Sequence, residues 1–304
     1  MGARLRQGVS FLTWNIYLGA DLSPLTGGLT PPAVTQVYRQ FLATNFPVRA
    51  KAIASQIASR KPDLIGLQEA ERWELEVPGF GTVVYDFVEL LMAELKAIGL
   101  HYEAAARNHN RDVQDVQDSN GNKISFLDRD VILIRKELGL QVIDKQEVNF
   151  TTNYSGFTRG WSSVDVKLGN RVFRMINTHL EPLDFNTRNA QALELINGPA
   201  KTELPVILTG DLNLTPANPT FTALVSSGLR DVWTEVGAGF GFTGVQAPDL
   251  LNAASALNIR IDYILFKNVT IPIHADLVGE EQGDRTPAAL WPSDHAGVFA
   301  TFKL

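Results

Sequence analysis

The chain has 304 residues, of which 45% are hydrophobic and 20% charged, so it is long enough to bury a large core. Its 27 basic and 33 acidic residues give a net charge of −6, which excludes a strongly basic nucleic-acid-binding surface over the whole chain but is compatible with a local patch. The absence of cysteine excludes disulfides, thiolate metal ligands and cysteine nucleophiles.

Short apolar runs and amphipathic segments succeed one another along the chain. The runs, many of them β-branched, predict strands at 9–16, 63–69, 130–136, 140–148, 161–168, 172–180, 205–213, 259–266, 269–278 and 296–304. Helical periodicity predicts helices at 47–60, 84–98, 187–197 and, more weakly, 217–227. So many strands with so few helices do not fit a regular βαβ alternation. We therefore expect an α/β fold with two packed sheets and helices on the outer faces, as a single domain over 1–304.

The turn-forming stretch D-S-N-G at 118–121 lies between two segments that could pair as a hairpin within residues 107–129. It resembles a calcium-binding loop only superficially, because position 127 is a leucine where such a loop needs glutamate. Arg129 and Asp130 follow in D-R-D-V, and we expect them to have a structural role outside any site.

The N-terminal residues and the lengths of the apolar runs bear on the compartment. Residues 1–15 lack the apolar core of a signal peptide, and no apolar run approaches the ~20 residues of a membrane span. We expect a soluble protein without a transmembrane segment. Compartment and oligomeric state stay unknown, and secretion after removal of a signal peptide is compatible with the sequence.

Polar side chains stand at the downstream ends of many predicted strands. In L-P-V-I-L-T-G-D-L-N (204–213), an apolar run leads to Asp211 and Asn213, which extended geometry would direct to the same side. Each position alone has an ordinary reading, as a turn residue, the first turn of a helix or a buried structural histidine. It is improbable that carboxylates, amides and histidines stand at so many strand ends by chance. The other positions are Asn15, Glu69, His179, Asp262, Asp294 and His295.

These residue types suit the hydrolysis of a phosphate ester. Mg²⁺ prefers carboxylate and amide oxygens, which Glu69, Asp294 and the nearby Asn15 could supply. A histidine can take a proton from water, and it does so best when a carboxylate, for which Asp262 is the candidate, orients its second nitrogen. Zinc chemistry is disfavoured by the lack of cysteine and of an H-E-x-x-H motif.

The ordered set of motifs resembles the endonuclease/exonuclease/phosphatase superfamily, which includes pancreatic-type deoxyribonucleases, abasic-site endonucleases, neutral sphingomyelinases and inositol polyphosphate phosphatases. The resemblance extends from residue 9 to residue 302, and it implies a four-layer α/β sandwich with two mostly antiparallel sheets face to face. It also implies metal-dependent phosphoester hydrolysis. The motifs are T-W-N-I (13–16), L-Q-E (67–69), N-T-H-L-E (177–181), G-D-L-N (210–213), R-I-D-Y-I (260–264) and S-D-H (293–295).

The resemblance implies a metal site and names its ligands. Glu69 matches the family's main metal ligand, Asn15 the amide beside the metal, and Asp294 a second acidic residue near it. Asp211 is expected to position water and is also a candidate ligand. The implied ion is Mg²⁺, with Mn²⁺ or Ca²⁺ as alternatives.

The catalytic roles carry over in the same way. His295 matches the catalytic histidine, and Asp262 matches the aspartate that holds it. Asp211 and Asn213 match the pair that positions the attacking water and the phosphate. Whether aspartate or histidine is the base is argued differently for different members, and we predict His295. His179 matches a phosphate-contacting histidine of the deoxyribonuclease and sphingomyelinase branches, which disfavours the abasic-site branch.

Two further residues are candidates for substrate binding. Arg159 precedes a predicted strand and could bind phosphate oxygens through both of its terminal nitrogens, although an exposed arginine capping a loop is an equal alternative. Trp291 lies next to a proline beside S-D-H, where it could form a wall of the substrate pocket or simply pack.

The substrate class depends on the loops. Residues 18–46 are expected to overhang the site, with Leu22, Leu25, Tyr38 and Phe41 shaping an apolar pocket. A sphingomyelinase-like enzyme would also expose apolar loops, such as 73–80 and 288–292, for transient contact with a lipid surface. We therefore favour a phosphodiesterase acting on a small or lipid-like phosphate ester. A nuclease of the same fold is the alternative, and a non-catalytic binding protein is the third.

Overall fold

The structure, a computed structural model, describes residues 8–268 and 271–303. It contains six α-helices among these residues: α1 (Pro31–Ala43), α2 (Phe46–Arg60), α3 (Phe87–Ala97), α4 (Phe185–Asn197), α5 (Pro219–Ser226) and α6 (Val232–Val236). The strands of the first half are β1 (Val9–Asn15), β2 (Leu64–Gln68), β3 (Arg72–Val77), β4 (Gly81–Asp86), β5 (Tyr102–Gln117), β6 (Lys123–Arg135) and β7 (Gln141–Asn149). Those of the second half are β8 (Gly160–Leu168), β9 (Arg171–His179), β10 (Val206–Asp211), β11 (Arg230–Asp231), β12 (Asp262–Lys267), β13 (Ile271–Val278) and β14 (Gly297–Lys303).

The strands form two mixed sheets. The eight-stranded sheet has the order β13-β14-β1-β2-β6-β3-β4, and β5 also pairs with β6. The six-stranded sheet has the order β11-β12-β10-β9-β8-β7. Pairing is antiparallel except between β1 and β2 and between β9 and β10. The predicted mostly antiparallel α/β arrangement is thereby confirmed.

Three apolar clusters separate the layers. One fills the space between the sheets and includes Phe11, Phe173 and Phe302, whose rings meet edge to face. Another packs α1, α2 and α3 against the outer face of the larger sheet. The third packs α4 and α5 against the outer face of the smaller one. The order helix, sheet, sheet, helix is the four-layer sandwich predicted from the sequence.

Most predicted elements agree with the structure to within a few residues, and the exceptions are local. Residues 269, 270 and 304, at the ends of two predicted strands, lie outside the described residues. The predicted strand 259–266 begins only at Asp262, and the helix predicted from 84 begins at Phe87 because 84–86 belong to β4. The hairpin predicted around D-S-N-G is present as β5 and β6, closed by hydrogen bonds to Asp118. Arg129 pairs with Asp86 at 2.8 Å, which agrees with a structural role.

The expected apolar pocket in 18–46 is wrong. Residues 31–43 form a helix that starts at Pro31 and Pro32, a position where proline's missing N–H costs nothing. Tyr38 and Phe41 are buried in the core, and the Phe41 ring stacks on Trp73 with 4.6 Å between ring centres. Leu22 and Leu25 pack against the same core cluster, so the segment contributes its apolar side chains to the core instead of to a substrate cavity.

The proposed exposed loop at 73–80 is also largely wrong. Residues 72–77 form β3, and Trp73 is buried, with its indole N–H donating to the Leu18 carbonyl at 3.0 Å. Phe80 alone fits the expectation, because it is 92% exposed at the tip of the β3–β4 turn. Within the described residues, no helix combines the length and apolar character needed to cross a membrane.

Candidate active site

The candidate residues meet at one end of the sandwich because of strand direction. His179 ends β9 and Asp211 ends the parallel strand β10, while Asp262 begins the antiparallel strand β12. In the register of the smaller sheet, Asp211 stands directly between His179 and Asp262. Asn15 ends β1 of the other sheet, so the same edge of both sheets contributes polar side chains.

His295 and Asp262 form a buried acid–histidine pair. The His295 Nδ1 atom lies 2.9 Å from Asp262 Oδ2, and the two residues are 6% and 1% exposed. Burial alone would lower the pKa of His295, but the surrounding carboxylates, Asp262 foremost, raise it well above its ordinary value. A carboxylate accepts only, so Nδ1 keeps its proton in either state of the ring, and Nε2 is the nitrogen that gains or loses the second proton.

Asp211 occupies the centre of the site. Its Oδ2 lies 3.8 Å from His295 Nε2 and 3.4 Å from His179 Nε2, so one oxygen faces both imidazoles. Burial, followed by the charge of Asp262, raises the pKa of Asp211 to about 7. Ligand atoms of Asp211, Asp262 and His295 all lie within 4.8 Å of one another.

Asn213 does not extend the strand as the two-residue spacing suggested. β10 ends at Asp211, and Asn213 adopts a left-handed conformation with φ of 50°. Its backbone N–H donates to Asp211 Oδ1 at 3.0 Å, and its side-chain amide donates to the Leu180 carbonyl at 3.0 Å. The turn fixes the Asp211 carboxylate and ties it to the end of β9.

Asn15 connects the two sheets at the site. Its amide Nδ2 donates to Glu69 Oε1 at 3.0 Å and to Asp211 Oδ2 at 3.1 Å. The Tyr17 N–H donates to Asn15 Oδ1 at 3.0 Å, and the Leu18 N–H donates to Glu69 Oε2 at 2.7 Å. Glu69 itself is held at φ of 53°, a left-handed conformation that is uncommon for a glutamate and that often accompanies functional sites.

Asp294 approaches Glu69 from the loop before β14. Burial foremost, with repulsion from the Glu69 carboxylate, raises the pKa of Asp294 to about 7 against the opposing charge of His295. Two carboxylates that repel each other in a half-buried site fit a hard divalent cation between them. The donor set of Glu69, Asp211, Asp294 and Asn15 therefore suits an oxygen-preferring metal ion.

His179 and Arg159 are in direct contact on the other side of Asp211. Arg159 Nη1 lies 2.9 Å from His179 Nδ1 and 3.4 Å from Asp128 Oδ2. The arginine side chain is only 11% exposed, so the alternative of an exposed loop cap is wrong. Burial and the adjacent guanidinium lower the pKa of His179 well below its ordinary value.

Trp291 lies in the protein interior. It is fully buried in a cluster with Tyr17, Leu250 and Leu290, and its indole N–H donates to the Asn252 carbonyl at 2.8 Å. A side chain without accessible surface cannot line a substrate pocket. The packing alternative of the sequence analysis therefore describes Trp291.

The sequence analysis missed Arg49, which braces two of the site's loops. This fully buried guanidinium donates to the carbonyls of Ile16 at 2.8 Å, Tyr17 at 3.0 Å and Pro292 at 3.0 Å. It thereby ties the chain after Asn15 to the chain before Asp294. The signal was present in the sequence, because Arg49 stands four residues before Ile53 on the apolar face of α2.

A second group of residues that the sequence did not indicate holds Arg159 in place. Asp128 is 5% exposed and accepts a hydrogen bond from Asn110 Nδ2 at 2.9 Å, and the same nitrogen donates to Asp130 at 2.8 Å. These residues lie in β5 and β6, where alternation between the two faces of a long hairpin gives no sign of a site. Their role depends on Arg159, which immediately precedes β8 of the other sheet.

The layered fold and a strand-end cluster of carboxylates, amides and histidines define a phosphoester-hydrolase type of site. The sequence model of the Endonuclease/Exonuclease/phosphatase family matches residues 12–295. The chain belongs to this family, whose members hydrolyse phosphate esters with a divalent metal ion.

Solved structures of the same fold support the assignment. An endonuclease/exonuclease/phosphatase protein from Bacteroides vulgatus is 17% identical with a TM-score of 0.64, over 98% of this chain and 100% of that one. TDP2 from D. rerio, in complex with a single-strand DNA product, is 18% identical with a TM-score of 0.62 over the same shares. A mannosyl-6-phosphatase from Bacteroides thetaiotaomicron is 18% identical with a TM-score of 0.59, over 96% and 98%. No curated protein matches the chain.

Proposed function

We propose that the chain, acting as one domain over 1–304, is a divalent-metal-dependent phosphodiesterase for a small or lipid-like organic phosphate. The observation that carries this proposal is the buried Asp262–His295 pair at 2.9 Å, with the Asp211 carboxylate 3.8 Å from the free ring nitrogen. A histidine oriented by one carboxylate and facing another is arranged to take a proton from water.

The reaction consumes one water molecule. In the proposed mechanism, water lies between His295 Nε2 and Asp211, and Nε2 takes its proton as the oxygen attacks phosphorus. The phosphorus–oxygen bond to the leaving group breaks, and the leaving oxygen takes up a proton from solvent to become an alcohol. The proton held by His295 returns to solvent, so the net products are a phosphate monoester and an alcohol. Asp262 keeps the Nδ1 proton in place and stabilises the imidazolium that forms.

The other site residues bind the phosphate and the ion. Glu69, Asp294, Asn15 and Asp211 would hold the divalent ion, with Mg²⁺ or Mn²⁺ preferred and Ca²⁺ as an alternative. The ion supplies a positive charge that polarises the phosphate and offsets the charge of the transition state. The Asn213 amide, with one N–H engaged by Leu180, has a second N–H for a phosphate oxygen.

The surroundings of the site favour an organic group over a long polyanion. Two guanidinium groups near it are paired with carboxylates, Arg159 with Asp128 and Arg260 with Asp231, so these two are not free for successive phosphates. Leu183 and Phe185, shortly after His179, are 80% and 45% exposed. Apolar side chains at this position suit a hydrocarbon or ring substituent, or transient contact with a lipid surface.

A substrate panel with Mg²⁺, Mn²⁺ or Ca²⁺ tests the proposal. It contains bis-p-nitrophenyl phosphate, p-nitrophenyl phosphate, sphingomyelin, inositol phosphates and plasmid DNA. We expect metal-dependent hydrolysis of the diester or the lipid, lost in His295→Ala and retained in Arg174→Met. Arg174 pairs with Asp165 in the half of β9 away from His179, so it controls for loss of an arginine–carboxylate pair outside the site.

The same panel separates the alternatives. Robust plasmid nicking that His295→Ala abolishes, with poor diester turnover, would replace the proposal by a nuclease. No turnover of any substrate with any of the metals would replace it by a non-catalytic binding protein.

A further inference from the structure

In each of the two histidines of the site, the Nδ1 atom has a charged partner, and the two partners carry opposite charges. Nδ1 of His295 faces the Asp262 carboxylate at 2.9 Å, whereas Nδ1 of His179 faces the Arg159 guanidinium at 2.9 Å. We propose that Arg159 is a positioning residue that holds His179 in the tautomer opposite to that of His295, as a hydrogen-bond donor through Nε2. His179 then donates to the phosphate, while His295 accepts the proton of water.

The contact between Arg159 and His179 fixes which atom donates and which accepts. A guanidinium carries only donors, so the nitrogen that it contacts must be the acceptor. His179 Nδ1 therefore bears no proton, and the ring proton of His179 resides on Nε2. An imidazolium would present a second donor to the guanidinium, so the contact with Arg159 also excludes the doubly protonated ring.

Arg159 is itself held in place by other side chains, so its guanidinium stays oriented toward His179. Asp128 Oδ2 lies 3.4 Å from the same Nη1 atom, and Asp128 in turn accepts from Asn110. Arg159 and Asp128 are 11% and 8% exposed at their side chains, so the pair is shielded from water. The guanidinium is thus held toward His179, a role that neither alternative of the sequence analysis, phosphate binding or an exposed loop cap, included.

The consequence appears at the opposite ring nitrogen. His179 Nε2 lies 3.4 Å from Asp211 Oδ2, and His295 Nε2 lies 3.8 Å from the same oxygen. In the assigned tautomers, Nε2 of His179 is a donor and Nε2 of His295 is an acceptor. A phosphate beside Asp211 would therefore receive a hydrogen bond from one histidine, while the other stays free for water. This consequence rests on the proposed function, whereas the tautomer of His179 does not.

Nitrogen-15 NMR of the full chain measures the tautomer without any substrate. The protein has five histidines, so His179→Gln and His295→Gln suffice to assign both rings. We expect the His179 Nδ1 resonance in the downfield range of an unprotonated nitrogen, with and without Mg²⁺, and the same for Nε2 of His295 when its ring is neutral. A protonated Nδ1 in wild-type His179 would overturn the inference.

Substitutions test whether Arg159 is the cause. Arg159→Met removes the donor, and we expect the His179 ring to become a mixture of tautomers. Arg159→Lys keeps a group that only donates, and we expect it to preserve the wild-type tautomer. Arg174→Met is the control and should leave the spectrum unchanged. An unchanged His179 tautomer in a folded Arg159→Met protein would refute the proposed role.

Activity supplies the second readout. With bis-p-nitrophenyl phosphate and Mg²⁺, we expect Arg159→Met to lower kcat by about 10- to 100-fold, the loss usual when the partner of a functional histidine is removed, and Arg159→Lys to restore part of it. Equal losses in the Met and Lys variants would contradict a role through the tautomer. Wild-type inactivity with the expected NMR spectrum would reject the proposed function and leave the tautomer assignment standing.

Discussion

Replacing Asp262 with asparagine removes the negative charge of the carboxylate whose hydrogen bond orients His295. The bond is 2.9 Å long and both residues are buried, so water cannot take over the role of the carboxylate. An amide that donates to Nδ1 moves the ring proton to Nε2 and abolishes the base. In either amide orientation the imidazolium loses the charge that stabilises it. We expect kcat to fall ~10⁴-fold, as for the equivalent change in a serine-protease triad, or about 5.5 kcal/mol of barrier.

The assay is hydrolysis of bis-p-nitrophenyl phosphate with saturating Mg²⁺, with thermal unfolding as the check on folding. The double variant Asp262→Asn/His295→Ala should be no slower than His295→Ala alone, because residues that act as a unit are not additive. A loss smaller than about tenfold in a folded Asp262→Asn protein would refute the assigned role. Additive losses in the double variant would do the same.

The remaining predictions concern stability. Arg49→Met leaves several buried carbonyls without a donor, so we expect the free energy of unfolding to fall by about 3 kcal/mol or more in urea titration. Gly210→Ala would bring a Cβ against the Thr178 carbonyl of the neighbouring strand, and we expect a loss of about 3 kcal/mol by the same measurement. Burial raises the pKa of Glu280 to about 7, so the folded state binds the extra proton and stability falls as pH rises from about 4.5 to about 7. Glu280→Gln should therefore raise Tm at about pH 8 and not at about pH 4.

Each of these has a contradicting outcome. Arg49→Met with wild-type stability would mean that water satisfies the carbonyls of the loops. A stable Gly210→Ala protein would show that the strands can separate. A Tm increase for Glu280→Gln that is equal at both pH values would show that the carboxyl's charge is irrelevant.

The strands that carry the site could be predicted because their sequences are buried on both faces. Continuous apolar runs such as 205–209 have no competing helical period, and each ends in a polar side chain that needs a partner. The polar residues at these strands, together with the resemblance of their motifs to one family, grouped Asp211, Asp262 and His179 before their contacts were known. Burial of Asp262 at the start of β12 agrees with that grouping.

The elements that the sequence analysis missed are those in which local and tertiary preferences differ. Helix α1 begins in a Gly-, Pro- and Thr-rich stretch, and its apolar face is apparent only from Val34, Val37 and Phe41 once Pro31 is recognised as a helix start. β3 is polar at alternate positions. It is buried by packing against α1, and this contact cannot be predicted from a local sequence pattern. Gly210 is required by the close approach of β9, which no local pattern shows and which leaves no room for a Cβ.

Contacts across the site could not be predicted from the sequence for a similar reason. Arg159 was a candidate for phosphate binding or for an exposed loop cap, because an arginine before a strand offers no hint of what lies opposite. Its partners Asp128 and His179 come from two different sheets, so only the packing of the sheets brings the three together. The spacing between Asp211 and Asn213 likewise described a strand that in fact ends one residue after Gly210.

The Mg²⁺ dependence of phosphodiester hydrolysis in wild type and Glu69→Gln tests the central claim most directly. The claim is that the carboxylates gathered at these strand ends hold a divalent ion beside the Asp262–His295 pair. We predict that chelator-treated wild-type protein is inactive, regains saturable activity with Mg²⁺, and needs far more Mg²⁺ after Glu69→Gln. Full activity in chelator, or an identical Mg²⁺ dependence in the two proteins, would contradict it.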